Sequence, residues 1–99
     1  MIYEFFVPFS NKAVFGDFTF YISDDIENWL NENIGMGFKP RYEDTAKVKN
    51  EDLKDFKKDN SVWCYVIQPS KNEYTKGVCF YLKTTTNKAM LFKLTWMGL

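Results

Sequence analysis

The chain of 99 residues contains no histidine. This absence removes the commonest general base, the commonest protein ligand of metals, and every Ser-His or Cys-His pair that activates a nucleophile. The two cysteines, Cys64 and Cys79, are too far apart in sequence for a C-x-x-C zinc motif. We therefore predict no enzymatic activity, no metal and no cofactor, and we expect both cysteines to be reduced, buried thiols.

Net charge is also missing, because 13 basic residues balance 13 acidic ones. This balance argues against nucleic-acid binding through bulk positive charge, and equally against an acidic mimic of DNA. A protein near zero net charge has little electrostatic repulsion between copies. We expect a protein partner or a homo-oligomer.

We expect neither a leader peptide nor a membrane span. Its start, MIYEFFVPF, has no basic region and carries Glu4 and Pro8 within the apolar run. No uncharged stretch reaches the length that crosses a bilayer. We predict a cytoplasmic protein with no membrane contact. Arg41 is the only arginine beside twelve lysines, and this usage indicates AT-rich codons. An AT-rich genome suggests a phage or mobile-element accessory or inhibitor protein.

Apolar and aromatic residues are abundant. Hydrophobic residues make up 45% of the chain and aromatic residues 19%, a composition that predicts one ordered domain over residues 1–99. A core of this size does not easily enclose ten Phe and six Tyr. Either rings line both faces of the sheet, or some rings are exposed and mark a contact surface.

The clearest pattern runs from Phe18 to Gly35. Alternating Phe18, Phe20 and Ile22 predict a strand, and helical spacing follows over residues 24–34, at Ile26, Trp29, Leu30 and Ile34. Short polar residues at 23–25 can cap the helix, Asp24 and Glu27 fit a capping box, and Gly35 can end it.

The other segments complete an α+β prediction. Residues 2–9 are predicted to form a hairpin with the strand at 18–22, and a short helix follows Asn50 and ends near Lys57 and Lys58. Residues 62–67, 78–84 and 90–97 are predicted as a three-stranded meander. The expected fold is a mainly antiparallel sheet of about five strands with the main helix packed on one face.

Acidic residues cluster at the start of the main helix and around residues 43–55. They could hold a divalent ion, but capping and the helix dipole already explain acids in first turns. A further hypothesis is that these acidic residues share one face, which occupies a basic groove on a nucleic-acid-handling partner. Interleaved lysines favour a mixed, solvated surface.

Two functional hypotheses result. A protein-interaction module would bind through loop and helix-face residues; the predicted contacts are Val14, Phe15, Met36, Phe38, Asp24, Asp25 and Glu27. For the loop residues Val14 and Phe15, packing over the end of the sheet is the alternative. The alternative is a single-stranded nucleic-acid-binding domain, in which sheet aromatics stack bases beside lysines. Its predicted residues are Tyr65, Tyr81, Lys83 and Lys93.

Overall fold

Four strands form one sheet in the computed structural model, which describes residues 2–8, 10–11, 14, 22–39, 46–69 and 76–97. The strands are β1 (Ile2–Pro8), β2 (Lys47–Val48), β3 (Trp63–Pro69) and β4 (Lys76–Lys83), in the order β1-β4-β3-β2. β4 pairs antiparallel with both β1 and β3, whereas β2 pairs parallel with β3. The α+β class is confirmed, and the sheet is mixed.

Three α-helices accompany the sheet in the described ranges: α1 (Asp24–Asn33), α2 (Leu53–Lys58) and α3 (Thr86–Trp96). A 3-10 turn, Asn50–Asp52, precedes α2, so the short second helix is confirmed. None of the three helices has the length and apolar character that crossing a membrane requires.

The main helix forms where its spacing predicts it. Its N-cap is Ser23, whose hydroxyl accepts a hydrogen bond from the Ile26 amide. The N-cap is therefore one residue before Asp24, the position that the capping box predicts. At the other end, the amides of Ile34 and Gly35 both donate to the Leu30 carbonyl. Gly35 has a φ of 138°, a conformation that side-chain-bearing residues rarely adopt.

The predicted last strand is wrong, because residues 86–96 form helix α3. Thr85 caps it by accepting a hydrogen bond from the Lys88 amide at 3.3 Å. The alternation of Phe92, Leu94 and Trp96 resembled a strand because the helix carries apolar residues on most of its circumference. Two strands followed by a helix therefore replace the predicted meander.

The predicted hairpin cannot be followed, since residues 18–21 lie outside the described residues. Ile22 is described; it is buried and belongs to no strand. The strand that pairs with β1 along its whole length is β4, from Ile2 opposite Lys83 to Pro8 opposite Gly77. This pairing joins segments that are far apart in sequence.

The sheet is covered on both faces, and each face has its own apolar cluster. Helices α1 and α3 cover one face, where Ile26, Leu30 and Phe92 pack on Trp63 and Phe80. The second cluster contains Phe56 from α2 and residues of the opposite sheet face, namely Val48, Cys64, Val66, Cys79 and Tyr81. Residues 63–66 of β3 alternate between the two clusters, which explains why all four of them are apolar.

Candidate interaction surface

Three large apolar side chains lie exposed on the outer side of α3. Met90 and Leu91 are each 47% exposed and Leu94 is 57% exposed. The spacing of three and four residues places them on one side of the helix, whereas Ala89 and Phe92 face the core. We call Met90, Leu91 and Leu94 the α3 surface.

Basic residues border the α3 surface. At 3.6 residues per turn, Lys88 and Lys93 fall on opposite edges of the apolar stripe. The helix contains no acidic residue. Its outer side therefore combines an apolar centre with a basic rim, the layout of many protein-binding surfaces.

The fold holds α3 firmly against the β1 side of the sheet. The Tyr3 and Thr86 hydroxyls are hydrogen-bonded at 2.6 Å, and the Phe5 and Phe92 rings lie 5.3 Å apart. The Asn11 side-chain amide donates to the Trp96 carbonyl at 2.8 Å. These contacts fix which side of α3 faces solvent.

Helix α1 lies beside α3 and exposes acidic residues. Trp29 connects the two helices, with its ring 6.0 Å from Phe92 and 6.3 Å from Trp96. Asp25 and Glu32 are spaced four and three residues from Trp29, so they share its side of α1, and both are exposed. α1 contains no basic residue.

The predicted partner-binding residues in loops differ in how exposed they are. Val14 is completely buried in the core, so its prediction as an exposed contact is wrong. Phe15 lies outside the described residues. Met36 is 67% exposed, whereas Phe38 is half-buried with its ring 5.9 Å from that of Phe56.

The predicted acidic helix face is partly available. Asp24 and Asp25 are exposed at the start of α1, and Glu27 is half-buried. These residues lie on the outside of the same helical layer as the α3 surface.

The two tyrosines predicted to stack bases do not share a surface. Tyr65 belongs to the cluster under α1 and α3, Tyr81 belongs to the cluster on the opposite face, and both are buried. Because neighbouring positions of paired strands alternate between faces, these residues cannot form the one-sided stacking platform.

The two predicted lysines are also separated. The Lys83 ammonium donates to the carbonyls of Phe56 and Asp59 and lies 4.1 Å from the centre of the Phe56 ring. Lys93 lies on α3, on the other side of the sheet. The sequence prediction put Lys83 and Lys93 on strands of one sheet. Because residues 86–96 form a helix, the two lysines do not lie on a common sheet face.

Cys64 and Cys79 are free and buried, as predicted. Burial raises the pKa of the Cys64 thiol to about 12. Burial also raises the pKa values of Cys79 and of Tyr81, which is hydrogen-bonded to Cys79 and Glu4. A thiol that stays protonated at neutral pH is a poor nucleophile and a poor metal ligand.

In the part of the chain that the structure describes, no three His, Cys, Asp or Glu residues are grouped to hold a metal ion. No protein-family model, curated protein or solved structure matches the chain.

Sequence reasoning missed the α3 surface because it assigned those residues to a strand. The available signal was the helical spacing of Ala89, Phe92 and Trp96 after a Thr cap.

Proposed function

We propose that this protein is a small non-enzymatic interaction module that binds another protein chain through the α3 surface. The observation that carries the proposal is the outward exposure of Met90, Leu91 and Leu94 on a helix whose opposite side already packs against the core. Single exposed apolar residues are normal on protein surfaces. Three on one side of a helix with a basic rim make a contiguous patch, which is a feature of binding sites.

The chemistry of the described residues supports binding more than catalysis. The sequence has no histidine, and the thiols are buried and protonated at neutral pH. A surface made of Met and Leu with a lysine rim offers apolar contact area and charge complementarity. An accessory or inhibitory role in a phage or mobile element stays a prediction from coding bias alone.

Site-specific photo-crosslinking tests the proposal. A photoreactive amino acid replaces Leu94 on the α3 surface, and a matched variant carries it at Lys57, which is exposed on α2. Both variants are expressed in the producing cells and irradiated. We expect a discrete protein adduct from position 94 and none from position 57.

The adducts separate the alternatives. An adduct to nucleic acid at position 94, or equal diffuse labelling at positions 94 and 57, would contradict a protein-binding α3 surface. A protein adduct of defined mass would support it, whether the partner is a different protein or another copy of this chain.

A further inference from the structure

We infer that the chain that covers the α3 surface is a second copy of this protein, arranged about a two-fold axis. The inference rests on the proposed function and names its partner. In this arrangement, α3 of one copy lies along the groove between α1 and α3 of the other copy. The apolar residues Met90, Leu91 and Leu94 meet near the axis, where both copies contribute the same residues.

The first argument is charge complementarity within one molecular face. The outer sides of α1 and α3 point away from the same face of the sheet, because both helices pack on it. α1 presents only acidic charges and α3 only basic ones. Each copy therefore carries both halves of a complementary pair, and a two-fold axis uses each half twice.

The geometry brings particular charges to the groove. Asp25 and Glu32 share the side of α1 that carries Trp29, and Trp29 contacts α3. They therefore border the groove in which the second copy would place α3, whose two edges carry Lys88 and Lys93. One of these basic edges would face Asp25 and Glu32. Among the described residues, no ion pair within one copy uses these four side chains.

The second argument is the size of the contact. Stable interfaces cover roughly 800 Å² of each partner, which exceeds what three half-exposed side chains supply. The partner must also cover the adjacent outer side of α1. It therefore needs an apolar centre with basic charges on the part that meets α1, and α3 of a second copy has these features. The zero net charge adds no long-range repulsion between copies.

Sedimentation equilibrium on the full chain, with charge-reversed variants, tests the inference. One variant carries Lys88→Glu and Lys93→Glu, and another carries Asp25→Lys and Glu32→Lys. All four positions belong to the outer helical layer, and urea denaturation checks that each variant folds. Samples range from about 5 µM to about 500 µM, the range of a weak to moderate dimer.

We expect the unmodified chain to dimerise and each reversed variant alone to dimerise at least tenfold more weakly, because like charges then meet at both contacts. An equimolar mixture of the two variants restores opposite charges at both contacts, so it should form a heterodimer at close to the original affinity. As an apolar control, Leu94→Glu should abolish dimerisation, and Lys57→Glu on α2 should leave it unchanged.

A chain that stays monomeric at about 500 µM would overturn the inference, and so would a mixture that fails to restore association. Dimerisation that persists in Leu94→Glu would also overturn it, because the contact would then lie elsewhere. These results are distinct from failure of the proposed function. A monomeric chain that crosslinks a different protein from position 94 keeps the function and loses only the second copy.

Discussion

Lys83 illustrates how one side chain stabilises a helix end from a distant strand. The last carbonyl groups of a helix have no partner within the helix. At the end of α2, the Phe56 carbonyl accepts a hydrogen bond from the amide of the C-cap residue Asp59. The carbonyls of Phe56 and Asp59 also accept hydrogen bonds from the Lys83 ammonium, whose charge complements the helix dipole. Lys83 thus connects β4 to α2.

Replacing Lys83 with methionine keeps most of the apolar stem and removes the charge and the hydrogen bonds. We expect Lys83→Met to lower the free energy of unfolding by about 1–2 kcal/mol, because two carbonyl groups lose a charged donor. Urea denaturation measures the change. Lys54→Met, at an exposed position of α2, is the control; equal effects of the two substitutions would contradict the capping role.

Cys64 gives the protein a dependence on alkaline pH. An unfolded thiol ionises near pH 8.5, whereas burial holds the Cys64 pKa at about 12 in the folded protein. Between these values the unfolded state binds fewer protons, so stability is full below about pH 8.5 and falls as pH rises. The raised pKa values of Cys79 and Tyr81 act in the same direction.

We therefore expect the urea midpoint to be constant between about pH 7 and pH 8 and to fall from about pH 9 upward. The decline should be shallower in Cys64→Ala, since that variant has one fewer group that ionises only on unfolding. A midpoint independent of pH up to about pH 10.5, or the same slope in both proteins, would show that Cys64 is not shielded from solvent.

At the scale of elements, α3 is the part of the chain that sequence periodicity described worst. Leu91, Leu94 and Met90 add apolar residues to the exposed side, so the amphipathic contrast that reveals a surface helix is weak. α1 was predicted correctly because its outer side is polar and its inner side is apolar. The exposed apolar residues that obscured the helical pattern of α3 are the same residues that make it a candidate interface.

The Thr85 cap provides a test of α3 as a helix. Thr85→Ala should lower the free energy of unfolding by about 1 kcal/mol, because the Lys88 amide loses its side-chain acceptor. Thr85→Ser keeps the hydroxyl and should retain most of the stability. Thr84→Ala, one residue outside the cap, is the control. Equal losses at positions 84 and 85 would indicate that the hydroxyl does not cap a helix.

The candidate site could be predicted only in part. Asp24, Asp25 and Met36 are exposed as expected, since polar helix starts and a loop beside two glycines favour solvent. The burial of Val14 could not be read from its loop position, because it depends on what packs around it. The separation of Tyr65 from Tyr81 needed the strand register, which pairs Tyr65 with Phe80 and Cys64 with Tyr81.

At the scale of the whole molecule, α3 is apolar toward the sheet and apolar toward solvent. Phe92 is buried against Phe5 and Phe80 at ring distances of 5.3 Å. Phe92→Ala should therefore lower the free energy of unfolding by about 3–5 kcal/mol. Leu94→Ala should change that energy by no more than about 0.5 kcal/mol in the monomer.

Thermal or urea denaturation at low protein concentration checks this contrast, because association is then negligible. The predicted strand would have placed Phe92 and Leu94 on the same face, with similar costs for both substitutions. A large loss from Leu94→Ala in the monomer would indicate that Leu94 packs within the chain, and would remove it from the α3 surface.

The sequence by itself determined the α+β class, helix α1, the short helix α2 and strands β1, β3 and β4, since local spacing, caps and turn residues specify these elements. Tertiary structure decided that β4 pairs with β1, that two helices share one sheet face, and that residues 86–96 are helical. The physical reason is that the sequence spacing of apolar residues does not show which of them face the core and which face solvent. Only packing against β1 and α1 selects which side of α3 is buried and leaves Met90, Leu91 and Leu94 exposed.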